Sequence, residues 1–117
     1  EIYAVCETYA QFEDFLVFGA DHEGDEEVVL CLKPVDGQDI SSATLAALRK
    51  DIRNQASPRH VPARIHLVQE VPYTINGKRV ESAARTTLAG QPVKNIGSLA
   101  NPQCLDEYKT LTRDAAL

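Results

Sequence analysis

Two short apolar runs constrain this fold more than any other feature: Phe-Leu-Val-Phe at residues 15–18 and Val-Val-Leu-Cys-Leu at residues 28–32. Short unbroken runs bounded by turn residues read as strands, the first of them buried. Gly19 closes the first run, and Pro34 opens a Pro-Val-Asp-Gly stretch at 34–37 that ends the second. The acidic residues at 21–27 between them read as a solvated turn, so the two strands are predicted to form a hairpin.

Helical and extended patterns alternate around this hairpin. Ile2, Val5 and Tyr9, with Cys6 beside them, follow helical spacing and predict a short amphipathic helix ending near Tyr9. Ser41 or Ser42 can cap a second helix running to about Gln55, with Leu45, Leu48 and Ile52 on one face. Ser57-Pro58 stops it, and Pro58 and Pro62 bracket a rigid extended connector, Arg59-His60-Val61. Residues 64–68 read as a third strand, with Ile65 and Leu67 on one side and His66 and Val68 on the other. A turn-rich stretch follows at 72–78. Val80, Ala83, Ala84 and Leu88 then mark a third helix, with Gly90 as its C′ residue. Residues 91–102 read as a loop and 105–111 as a short closing helix. The prediction is a small α+β domain, a hairpin plus a further strand packed with about three helices.

A chain of 117 residues suits one domain. Its longest apolar run is far short of the roughly 20 residues a membrane span needs, and its N-terminus shows neither a basic start nor an apolar signal stretch. The segment is expected to be neither inserted nor secreted. A net charge of −5 disfavours general nucleic-acid binding, which selects clustered cations. Cys6, Cys31 and Cys104, odd in number and widely spaced, form neither a disulfide framework nor a CxxC clamp; buried thiols in a reduced cytosolic setting fit them. The chain lacks methionine and opens directly into a helical pattern without a cap, which reads as a piece of a longer protein.

No nucleophile elbow, HExxH, phosphate loop or GxGxxG is present. His22, His60 and His66 are scattered singly, and the acidic residues at 21–27 lack EF-hand spacing. No full active site is assembled. One segment stands apart, Val-Pro-Tyr-Thr-Ile-Asn-Gly-Lys-Arg-Val at 71–80. Gly77 allows a positive φ or a close approach to a ligand. Lys78 is then a compact cation on a long stem, able to reach a phosphate oxygen. An ordinary loop whose tip lysine is only solvated fits the same pattern.

Pro72-Tyr73-Thr74-Ile75-Asn76-Gly77-Lys78 resembles the PxTxSGK motif near the C-terminus of adenylate-forming enzymes, the superfamily of acyl-CoA synthetases, peptide-synthetase adenylation domains and luciferases. The resemblance covers the entire chain: residues 1–90 as the core of the small C-terminal lid domain, residues 91–117 as an extension packing on it. Ser-Pro-Arg-His-Val-Pro at 57–62, the motif itself and Gly-Ser-Leu-Ala-Asn-Pro at 97–102 most resemble the acetoacetyl-CoA synthetases. Asn76 stands where most relatives have Ser, and Asn suits a turn at least as well.

The resemblance implies a two-step reaction in the full-length protein, with this fragment alone inactive. Acetoacetate attacks ATP, carried with magnesium, at the α-phosphate, and the CoA thiol then displaces AMP. ATP and CoA are bound mainly by a large N-terminal domain of the same chain. By motif, Lys78 is the catalytic residue of the first step, contacting the carboxylate and α-phosphate oxygens and countering charge in the transition state. Asn76 and Gly77 support its loop. The lid then rotates and withdraws Lys78. Arg49 resembles the arginine that acetyl-CoA synthetases place near a CoA phosphate at a helix end, where a guanidinium suits bidentate contact. A basic residue there also favours the helix dipole without any ligand. Arg79 is expected to be solvated, Glu81 and Arg85 to pair at i,i+4 spacing, and Arg59 and His60 to face the large domain. Tyr73 either packs under the loop or stacks on a ligand. A synthetase for acetate or propionate, and a free-standing α+β regulatory or interaction module, are the open alternatives.

Overall fold

The structure, a computed structural model, describes residues 1–36 and 38–117. Gly37, part of the predicted end of the second strand, lies outside the described residues. Strands β1 (Phe12–His22) and β2 (Asp25–Pro34) form the expected antiparallel hairpin, and β3 (Arg64–Leu67) pairs in parallel with β2, giving the order β1-β2-β3. Leu16 stands opposite Cys31, Phe18 opposite Val29, and Leu30 opposite Ile65. Parallel pairing requires a crossover, which helix α2 (Ser42–Gln55) supplies.

The runs at 15–18 and 28–32 are unbroken because both faces of the sheet are covered. Phe15, Leu30, Leu32 and Ile65 pack with Val5 of helix α1 (Ile2–Cys6) and with Leu45, Leu48 and Ile52 of α2. Leu16, Phe18, Val29 and Cys31 pack on the other face with Val68, Val71, Ala84 of helix α3 (Glu81–Leu88) and Tyr108 of helix α4 (Leu105–Tyr108). Ala83 of α3 meets Leu99, Cys104 and Leu105, so the segment after α3 has its own apolar seam against the body. Tyr108 is fully buried, and its hydroxyl donates to the Glu70 carbonyl at 2.9 Å, the partner a buried phenol requires. Among the described residues no helix is long and apolar enough to cross a membrane.

Several boundaries differ from the sequence expectation for identifiable reasons. The acidic stretch is strand rather than turn: only Glu23 and Gly24 turn, with φ of +51° and +85°. Positive φ at both central residues is the type I′ geometry whose twist matches the flanking strands. Glu27 is not solvated but packs against Arg64 at 3.9 Å and pairs with Arg113. Helix α1 ends at Cys6; Tyr9 lies beyond it, stacked on Phe12 at 5.2 Å with its hydroxyl donating to Asp51 at 2.5 Å. The Thr44 N–H donates to Ser41 Oγ at 3.1 Å, which makes Ser41 the α2 cap. Pro58–His60 is a 3-10 turn, not an extended connector, because a proline is tolerated where a turn begins and no N–H is needed. Ile65 is buried while Leu67, placed on the same side of the strand, is exposed. Gly90, at φ +77°, takes the C′ role expected of it. Two α-helices are short: α1, and the closing helix, which ends at Tyr108 rather than 111.

Candidate functional site at the lysine loop

The chain reverses between Tyr73 and Arg79, which pair as an antiparallel bridge, and Val80 N–H donates to the Pro72 carbonyl at 3.0 Å. Thr74 N–H donates to the Lys78 carbonyl at 2.8 Å, and Gly77 N–H to the Thr74 carbonyl at 2.9 Å. The Lys78 N–H donates to Thr74 Oγ1 at 3.1 Å. Ile75, Asn76 and Gly77 thus form a three-residue hairpin loop that ends on a left-handed glycine, with Gly77 at φ +84°. Lys78 follows directly and is exposed, and among the described residues its ammonium makes no ion pair. A free cation therefore stands on a backbone whose turn is closed by four hydrogen bonds.

The base of the loop is clamped. Arg79 donates through Nη2 to Asp14 Oδ1 at 2.9 Å, and its guanidinium lies 5.0 Å from the ring centroids of both Tyr3 and Phe15. Tyr73 donates to the second oxygen of Asp14 at 2.5 Å. Burial first, then that bond to Asp14, pushes the Tyr73 phenol up to about 12, so it stays a neutral donor. Arg79 is therefore held rather than solvated, and Tyr73 packs under the loop. The expected Glu81–Arg85 pair does not form: Glu81 receives the Tyr3 hydroxyl, and Arg85 Nε donates to the Gly19 carbonyl at 2.9 Å.

The back of the loop is braced by residues 98–101. Thr74 and Leu99 form an antiparallel bridge, Ile75 N–H donates to the Ser98 carbonyl at 3.1 Å, and Ala100 N–H to the Tyr73 carbonyl at 2.9 Å. Asn101 Oδ1 accepts from Tyr73 N–H at 3.0 Å, while its Nδ2 donates to the Val71 carbonyl at 2.9 Å. Sequence reasoning placed this segment in a loop, named Asn101 only within the resemblance at 97–102 and gave it no role, and passed over Asp14. Their only local signals were an acid inside an apolar strand and an Asn-Pro pair.

Arg49 sits inside α2, six residues before its end, so the helix dipole that acts within the last turn falls to Arg53 and not to Arg49. Its Nη2 donates to the Leu117 carbonyl at 2.7 Å and its Nε to the Pro62 carbonyl at 3.4 Å. It shares no hydrogen-bond partner with the Lys78 loop. His60 pairs with Ser57 through Nδ1 at 2.6 Å. His66 is buried and accepts from Arg64 Nε at 3.2 Å; burial first, and Arg64 second, lower it to about 4. Burial pushes the Cys31 thiol up to about 12 and the Cys104 thiol to about 11, which leaves them unreactive. A cavity of about 630 Å³, lined in part by Arg64, Arg85, Lys94 and Leu99, does not include Lys78. The lysine is thus carried on a tip rather than in that cavity.

Comparison with known proteins places this arrangement. No family model matches the chain. The acetoacetyl-CoA synthetase of Caenorhabditis elegans is 40% identical over 110 residues, covering 92% of this chain and 16% of that protein. The solved structure of an acetoacetyl-CoA synthetase from Streptomyces lividans superposes with a TM-score of 0.83 at 31% identity, over 97% of this chain and 17% of that one. The chain is a C-terminal domain of the adenylate-forming acyl-CoA synthetase kind, similar to that of acetoacetyl-CoA synthetase. This lid domain also matches the amide bond synthetase McbA from Marinactinospora thermotolerans, with a TM-score of 0.62 and 26% identity over 73% of the chain. The lid spans about a sixth of the length of the curated relatives it matches.

Proposed function

We propose that this lid belongs to an AMP-forming ligase that activates acetoacetate with ATP and transfers it to CoA. The observation that carries the reading is Lys78: an unpaired cation on a loop clamped at its base and braced at its back, in a chain similar along nearly its whole length to acetoacetyl-CoA synthetases. In the closed lid, the Lys78 ammonium lies against the substrate carboxylate and an α-phosphate oxygen. It holds the two in line and offsets the negative charge that grows as the new O–P bond forms and pyrophosphate leaves. Gly77 and Asn76 fix the turn from which it projects.

Rotation of the lid then withdraws Lys78, and a different face meets CoA. Arg49 is assigned to a CoA phosphate, for which its guanidinium exchanges the carbonyl acceptors of Pro62 and Leu117. Magnesium accompanies ATP.

Residues 1–90 are read as the lid core and 91–117 as an extension. The separate apolar seam that Leu99, Cys104 and Leu105 make against Ala83 supports that division. The partner is the large N-terminal domain of the same chain, and three buried thiols suit a cytoplasmic setting. A panel of acids on the full-length enzyme tests the substrate: acetoacetate should exceed acetate and propionate in kcat/KM. Preference for acetate would retain the family and overturn the substrate. Tight binding of ATP or CoA by the 117-residue chain alone would instead favour a free-standing module.

A further inference from the structure

We propose that Asn101 is a positioning residue for Lys78: it ties the lysine loop to the body of the lid and so sets where the ammonium stands in the adenylation step. The inference rests on the adenylation reading of Lys78 above.

The loop enters through Pro72, which has no N–H to donate and whose carbonyl is taken up within the loop by Val80 N–H, so it makes no backbone bond to the segment behind it. The Asn101 side chain spans this gap. Its carbonyl oxygen accepts from Tyr73 N–H at 3.0 Å, and its amide nitrogen donates to the Val71 carbonyl at 2.9 Å and to Glu70 Oε2 at 3.1 Å. One short amide therefore holds both residues that flank the proline. The backbone before it continues the grip, with Ala100 N–H on the Tyr73 carbonyl and the Ser98 carbonyl receiving Ile75 N–H.

The brace has its own footing. Leu99 on one side of Asn101 and Cys104 on the other are buried, in contact with Leu105 and with Ala83 of α3. Cys104 N–H donates to the Asn101 carbonyl at 3.0 Å. The loop is thus hung between two supports: the Asp14–Arg79 clamp at its base, and the Asn101 brace behind its entry. The first is a charged contact to β1, and the second is a set of hydrogen bonds to the 91–117 segment, one of them accepted by the Glu70 carboxylate.

Loss of the Asn101 amide frees the chain to pivot about Pro72, while the three buried clusters, to which Asn101 does not belong, keep their packing. The consequence falls on the loop. Misplacing a reacting group by about 1 Å can cost on the order of a hundredfold in rate.

The test uses the full-length enzyme and two assays: acetoacetate-dependent exchange of pyrophosphate into ATP, and thioester formation from pre-made acetoacetyl-adenylate. Asn101→Ala should lower kcat for exchange by roughly ten- to a hundredfold and leave thioester formation within about twofold. Added to Lys78→Ala, it should lower exchange no further, because a residue that acts through the lysine has nothing left to act on. If Asn101→Ala does not accumulate as folded protein, the isosteric Asn101→Asp keeps the acceptor for Tyr73 N–H and loses both donors. The same selective fall is expected of it.

Exchange unchanged in the folded variant would overturn the inference. So would an equal loss in both assays, or a loss that adds to that of Lys78→Ala. A Lys78→Ala enzyme with normal exchange would show that the adenylation reading itself had failed, a result distinguishable from the other three.

Discussion

Gly77 stands at φ +84° with nothing within 4 Å of where a Cβ would project, so its backbone angle and not crowding selects glycine there. Left-handed backbone costs an L-residue roughly 1–2 kcal/mol, and Asn less than most because its side chain bonds locally. Gly77→Ala should destabilise the 117-residue chain by about 1 kcal/mol in urea unfolding, and Gly77→Asn by a smaller amount; equal costs would contradict a conformational cause. This residue, with Asn76 and Lys78, was legible in the sequence because a turn motif is local. Arg79 was not: the acid that holds it, Asp14, lies 65 residues away, and nothing near Arg79 announces it. Asn101 was hidden for the same reason, 28 residues from the N–H it receives.

At the scale of elements, the strands were readable where burial on both faces made their runs continuous, and misread where charge stood in for a turn. β1 and β2 pair through the acidic residues, and Glu27 there faces Arg64 and Arg113. β3 carries one source of pH dependence in the fold, His66. His66, beside Arg64 on that strand, is held near 4 by burial, against 6.5 when unfolded. Between those values the unfolded chain binds a proton that the folded chain refuses. Stability is therefore complete above pH 6.5 and falls as the pH drops toward 4, by roughly 3 kcal/mol at most. The decisive quantity is a difference between two proteins. The urea midpoint of wild type should fall more steeply than that of His66→Gln between pH 6.5 and 4.5. Parallel slopes would contradict a neutral, buried His66.

The whole molecule joins a covered three-stranded sheet to an exposed lysine tip. The order of helix, hairpin, helix, strand, loop and helix follows from local patterning, and so does the position of the tip. What local patterning does not carry is the packing of residues 91–117, whose Leu99, Cys104, Leu105 and Tyr108 turn a segment read largely as loop into support for the site. The role proposed for Lys78 makes that residue matter to one chemical step and not the other. The most direct measurement is therefore the two half-reactions of the full-length enzyme carrying Lys78→Ala. Pyrophosphate exchange should collapse by a few hundredfold, about 3–4 kcal/mol of lost transition-state stabilisation, while thioester formation from acetoacetyl-adenylate persists. Survival of both steps unchanged would contradict the account.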